Sequence, residues 1–143
     1  MGIWKRNATL AELNALNANT LMATLGIEYC HIDENSLTAS MPVGAPVHQP
    51  MGLLHGGASV ALAESVGSLA ANLAVEEGQY CVGLDINANH IKAARSGIVY
   101  AKATPVHLGG VTHVWSIDIT NESQDLICQS RLTMMVKTAK SRS

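Results

Sequence analysis

The sequence predicts an α+β fold, with an antiparallel sheet wrapped around one long helix. Three observations carry that expectation. Residues 56–75 form a run of small and apolar side chains in which Glu64 is the only charge, as in a helix with no face polar enough to meet water. Stretches of apolar and polar alternation, bounded by turn residues, lie on both sides of it. The order is two short helices, a hairpin, the long helix and four strands in a meander. A single helix buried on most sides needs a sheet that curls around it.

Each element has a local reason. Thr9-Leu10-Ala11-Glu12 reads as a capping box that opens a short helix through about residue 14. Asn19 is placed to cap a second short helix over 20–25, which Gly26 ends. Residues 27–32 and 36–43 read as paired strands across the turn Asp33-Glu34-Asn35. Leu37, Ala39 and Met41 of the second strand alternate with Thr38 and Ser40. Residues 44–54, with Pro46 and Pro50, form a long loop of the kind that often carries function. After the long helix, Glu76-Glu77-Gly78 is a stop. Strands are expected over 80–91, 98–108, 111–120 and 126–136, with Gly109-Gly110 as a two-residue hairpin turn. Residues 137–143 read as a polar tail that frays. No repeat or linker divides the 143 residues, which suffice for one domain with its own core.

Composition narrows the function classes. A net charge of −2 gives no bulk attraction to nucleic acid or to an anionic membrane surface. The start of the chain carries no apolar signal segment, and the long helix holds Glu64 and several small polar residues, so it reads as core rather than as a membrane span. Cys30, Cys81 and Cys128 are odd in number, far apart and in no CxxC pair. That fits buried free thiols in a reducing cytoplasm. The six histidines do not cluster at ligand spacing, so no metal and no cofactor are expected.

The chemistry converges on the start of the long helix. His55-Gly56-Gly57 stands where the first helical N–H groups are free, and those groups with the helix dipole favour an oxyanion. Glycines let a carbonyl approach the backbone closely. Glu64 lies two turns further on, with Ser68 four residues beyond it on the same face. Burial there would raise the Glu64 pKa and suit it to act as nucleophile or general base. With Gln49 upstream, these are the parts of an acyl-transfer site. The competing structural interpretation is a glycine-rich helix entry with a paired, buried Glu.

The spacing Gln49…His55-Gly56-Gly57…Glu64…Ser68 resembles the hotdog-fold acyl-CoA thioesterases, over nearly the whole chain. The opening Ile3-Trp4-Lys5-Arg6, the run from Gln49 to Gly67, Val82-Gly83-Leu84-Asp85-Ile86-Asn87-Ala88-Asn89-His90 and Val106-His107-Leu108-Gly109 are similar to two branches of that family. One acts on 1,4-dihydroxy-2-naphthoyl-CoA, and the other proofreads the enterobactin pathway. The resemblance implies a dimer of dimers with active sites at the dimer interface. Glu64 from one subunit would be nucleophile or base and Ser68 would position water. From the other subunit, Gln49 would orient the carbonyl or water, with His55 close by, while the Gly56 N–H binds the thioester oxygen. It further implies an acyl-CoA or aryl-CoA substrate contacted by Gly83, His90, Lys92 and His107, and coenzyme A around Gly109 and Gly110. The chain departs from the pattern there, because Gly110-Val111 stands where relatives carry a basic residue.

Two other functions use the same parts. A hotdog dehydratase or hydratase would pair a His with a carboxylate to move protons at carbon. The Gly-Gly directly after His55, and Ser68 one turn past Glu64, fit water delivery better. A non-catalytic acyl-CoA-binding module would have no need of Glu64.

Overall fold

The computed structural model describes residues 2–140. Its elements in chain order are α1 (Leu10–Ala15), α2 (Leu21–Leu25), β1 (Glu28–Ile32), β2 (Leu37–Pro42), a 3-10 turn (Ala45–Val47), α3 (Gly56–Leu73), β3 (Gln79–His90), β4 (Ile98–Leu108), β5 (Thr112–Thr120) and β6 (Leu126–Thr138). The strands form one antiparallel sheet in the order β1-β2-β4-β5-β6-β3. Helix α3 packs across one face of it, touching β2 through β6.

The alternation read from the sequence sets this face. Leu37, Ala39 and Met41 of β2, Val99, Ala101 and Ala103 of β4, Trp115, Ile117 and Ile119 of β5, and Leu132 and Met134 of β6 are all buried against the helix. Without Phe, the layer is thin and the helix sits close. A β-carbon on Gly67 would stand 2.7 Å from Leu132 Cδ2 and 3.2 Å from Ile117 Cδ1, so only glycine fits the present separation. Trp4 stacks on Trp115 with ring centroids 6.4 Å apart. Thr9 and Glu12 form the expected capping box, and Gly26 ends α2 with φ of 74°.

Several expectations need correction. The last four strands are not a simple meander. Strands β4, β5 and β6 follow one another, but β3 lies beyond β6 at the sheet edge, with Cys81 opposite Val136 and His90 opposite Cys128. Alternation marks a strand without naming its neighbour. The long helix is not buried all round. Ser59, Leu62, Ala63, Val66, Gly67, Ala70 and Ala71 make a buried stripe, whereas Gly57 and Glu64 are exposed. Alanine and serine populate both faces of α3, so composition did not reveal the wet side.

Smaller corrections follow the same logic. Thr20, not Asn19, precedes α2 as N-cap, and Asn19 adopts a left-handed φ of 61°. The β4–β5 connection takes three residues, 109–111. Neither Gly109 nor Gly110 has positive φ, so the two-residue primed turn is not formed. Strand β6 continues to Thr138, pairing Lys137 with Tyr80 and Thr138 with Gln79, where a polar tail was expected. The end of that tail, 141–143, lies outside the described residues. Among the cysteines, Cys81 and Cys128 are buried but Cys30 is exposed, and none is bridged.

Candidate active site

The entry to α3 is a tightly closed loop. Gln49 N–H donates to Leu53 C=O at 2.8 Å, and His55 N–H donates to Val47 C=O at 2.8 Å. The Gln49 Oε1 accepts from the N–H groups of Met51 and Leu53, which leaves its Nε2 as a donor. His55 is the N-cap. Its Nδ1 accepts from the Gly57 N–H at 2.8 Å, so that helical N–H is occupied. The Gly56 N–H has no acceptor among the described residues and remains free for an oxyanion.

Gln49 and Gly56 line one cleft of about 320 Å³ with Ser59, His90, Lys92 and Ile127. Gly56 is a close contact for His90, whose Nε2 would stand 3.0 Å from a β-carbon there. Lys92 makes an ion pair with Asp125 at 2.7 Å. The hydrogen bonds from Lys92 and Asn121 hold the Asp125 carboxyl below the usual carboxylate range. The Lys92 charge is therefore already matched within the chain.

Glu64 and Ser68 line a different groove of about 540 Å³, walled by α1, α2 and β1 through Leu16, Leu21, Met22 and Tyr29, with Leu69 and Asn72 of α3. Its lining is mostly apolar, and burial pushes the Tyr29 phenol up, so it stays neutral. Glu64 is exposed in the single chain, so the burial expected around it is not supplied by this chain. Its Oε2 would stand 3.1 Å from a β-carbon on Gly83 of β3. One turn beyond Ser68, Asn72 joins helix to strand, with Oδ1 accepting from Cys81 N–H at 2.8 Å.

A bulge keeps both contacts on one side of β3. Gly83 and His90 are seven residues apart, which in a regular strand puts them on opposite faces. The register slips between Gly83 and Asp85, so Gly83 opposite Met134 and Ile86 opposite Leu132 both face the helix, as His90 does opposite Cys128.

The remaining candidates lie elsewhere. Gly109 and Gly110 line a third hollow of about 370 Å³ with Lys5, Glu76, Gln79 and His113. His107 is exposed, with its ring folded over Gly109. Neither Glu64 nor Gln49 reaches this hollow. One chain thus gathers Gln49, Gly56, His90 and Lys92, gathers Glu64, Ser68 and Gly83, and leaves the hairpin apart. The Gly56 N–H and Glu64 are separated by eight residues of helix, about 12 Å along its axis. The groove walls Leu16, Leu21, Met22 and Tyr29 escaped the sequence reading, because short helices give no signal of what they face. Among the described residues, no three His, Cys, Asp or Glu side chains converge on a metal-sized centre.

Comparison with known proteins decides the family. Residues 51–128 match the model of the thioesterase superfamily. The chain belongs to that family. A thioesterase crystal structure from Haemophilus influenzae superposes with a TM-score of 0.96 at 50% identity, covering 98% of both chains. A variant thioesterase from Pseudomonas aeruginosa gives 0.94 at 48% identity, over 96% of this chain and 99% of that one. In sequence, this thioesterase is 49% identical to the 1,4-dihydroxy-2-naphthoyl-CoA hydrolase of Escherichia coli K12, over 94% of the chain and 98% of the relative. It is 49% identical to a proofreading thioesterase of Klebsiella pneumoniae over 90% and 94%. The sheet and central helix are the hotdog fold, and the protein is a thioester hydrolase.

Proposed function

We propose that this thioesterase hydrolyses aryl- or acyl-CoA thioesters to the free acid and coenzyme A, with 1,4-dihydroxy-2-naphthoyl-CoA of menaquinone biosynthesis as the physiological substrate. The observation that carries the reading is the lone helical carboxylate, Glu64, at the wall of a large apolar groove. A thioester carbon is already electrophilic and a thiolate leaves readily, so one carboxylate with oxyanion donors suffices. Glu64 acts as nucleophile or general base, and Ser68 holds the attacking water. The Gly56 N–H receives the thioester oxygen and the Gln49 amide orients the carbonyl or the water, with His55 capping the helix beside them. His90 and Lys92 line the donors' cleft, and coenzyme A reaches Gly109 and Gly110 beyond. The naphthoyl assignment draws support from the name of the Escherichia coli relative.

The reaction centre joins two copies in this reading, Glu64 from one and Gln49, His55 and Gly56 from the other. The separation of about 12 Å within one chain supports it. Strand β3 supplies a means of pairing. It is a 12-residue sheet edge with Tyr80 and Leu84 exposed, open to a second β3. The assembly is a dimer of dimers in the cytoplasm, where three free thiols are stable. Among the described residues, no helix is long and apolar enough to cross a membrane.

A thiol-release panel over aromatic and aliphatic CoA thioesters tests the proposal. Turnover of aryl-CoA above acetyl-CoA is expected. Equal or better turnover of acetyl-CoA would contradict the substrate class, and no thiol release from any thioester would contradict the activity.

A further inference from the structure

We infer that Gly83 is a positioning residue for Glu64. This rests on the proposed catalytic role of Glu64 and deepens it. The sequence resemblance put Gly83 among substrate contacts, whereas the geometry gives it another partner. A β-carbon on Gly83 would stand 3.1 Å from Glu64 Oε2, and the next atom, Met134 Sδ, would be 3.9 Å away. The carboxylate is therefore the group that a side chain at this position meets first.

Two features make that contact matter. Among the described residues, no ion pair holds Glu64, and none of its atoms takes part in a side-chain hydrogen bond across α3 or β3. On the sheet side its carboxylate meets only the bare backbone of β3 at Gly83. The register slip between Gly83 and Asp85 turns that backbone toward the helix without turning away Ile86 or His90. A side chain at position 83 would lift the carboxylate by a few tenths of an ångström. Misplacement on the scale of about 1 Å costs about 10²-fold in rate.

Alanine is a clean probe of this contact. Gly83 does not adopt a left-handed φ, so alanine meets no backbone strain there. The flexible end of Glu64 yields easily, so stability should hardly change while the carboxylate moves. Gly83→Ala should lower kcat for CoA-thioester hydrolysis by about three- to tenfold, and Gly83→Val by more. KM should stay within about twofold, because no substrate contact is removed.

The decisive experiment is a double-mutant cycle with Glu64→Gln, measured by thiol release and normalised to folded protein by melting curves. With the carboxylate gone, Gly83→Ala should change the residual rate by less than about twofold, so the two losses are strongly non-additive. The inference is overturned if Gly83→Ala leaves kcat near the parent, if it acts equally in the Glu64→Gln background, or if it raises KM alone. The last result would mark a substrate contact. Should Glu64→Gln itself retain parental activity, the catalytic reading falls and the inference falls with it. A harmless Gly83→Ala beside a damaging Glu64→Gln removes the inference alone.

Discussion

The His90 imidazole rests against the first residue of α3, so that a β-carbon on Gly56 would stand 3.0 Å from its Nε2 and 3.2 Å from its Cε1. Gly56→Ala keeps the backbone N–H but forces His90 outward into the cleft it shares with Gln49. The expected outcome is a fall in kcat of about tenfold or more, as for a misplaced oxyanion donor. The double variant Gly56→Ala/His90→Ala should recover part of that loss, because the contact is gone. Steady-state thiol release on both variants checks it. No recovery would mean that the His90 contact is not what excludes a side chain.

Gly67 sets the distance between α3 and the sheet. Gly67→Val drives a branched side chain into Leu132 and Ile117, and overpacking of this kind costs about 1–3 kcal/mol. Chemical denaturation should show a lower midpoint with an unchanged slope. An unchanged midpoint would show that the helix can lift off the sheet at no cost.

His113 is buried beside Trp115 and Cys81, with the Trp115 Nε1–H donating to its Nδ1 at 3.3 Å. Burial, then the nearby His107, pushes its pKa below the ordinary value of 6.5. The unfolded chain therefore binds this proton more readily than the folded one. The stability tied to neutral His113 is complete above about pH 6.5 and falls as pH drops below it. The unfolding free energy measured from about pH 7.5 to 5 should fall more steeply for the parent than for His113→Gln. Parallel curves would remove His113 from the pH response.

The three thiols should separate by accessibility. Cys30 is exposed, while burial pushes the Cys81 and Cys128 thiols up and shields them. An aromatic disulfide reagent should titrate one thiol in the native protein and three after unfolding. Fewer than three after unfolding would indicate a bridge.

These residues also mark what could be seen in the sequence. The capping box of Thr9 and Glu12, the alternation of β2 and the long helix were all legible, because each is a local pattern with a local cause. The partner of β3 was not, since pairing depends on where a chain returns. The bulge after Gly83 was equally silent, because it is defined by two strands together. Residue pattern put Gln49, Gly56, Glu64 and Ser68 forward, but pattern without the family resemblance did not show that one chain divides them between two grooves. The family resemblance assigned them to two subunits, and among the residues' own signals only helix rise, which sets Gly56 and Glu64 about 12 Å apart, hinted at it.

The central claim is that Glu64 performs the hydrolysis. Glu64→Gln keeps the size of the side chain and removes its basicity. Loss of a general base costs about 10²–10⁴-fold, and the fall should appear in kcat. Removing a carboxylate that a second copy would desolvate should leave stability unchanged or slightly raised. Thiol release and thermal unfolding measured on the same preparation decide the matter. The kcat should collapse while the melting curve stays intact. A kcat within about threefold of the parent, with or without a loss of stability, would contradict it.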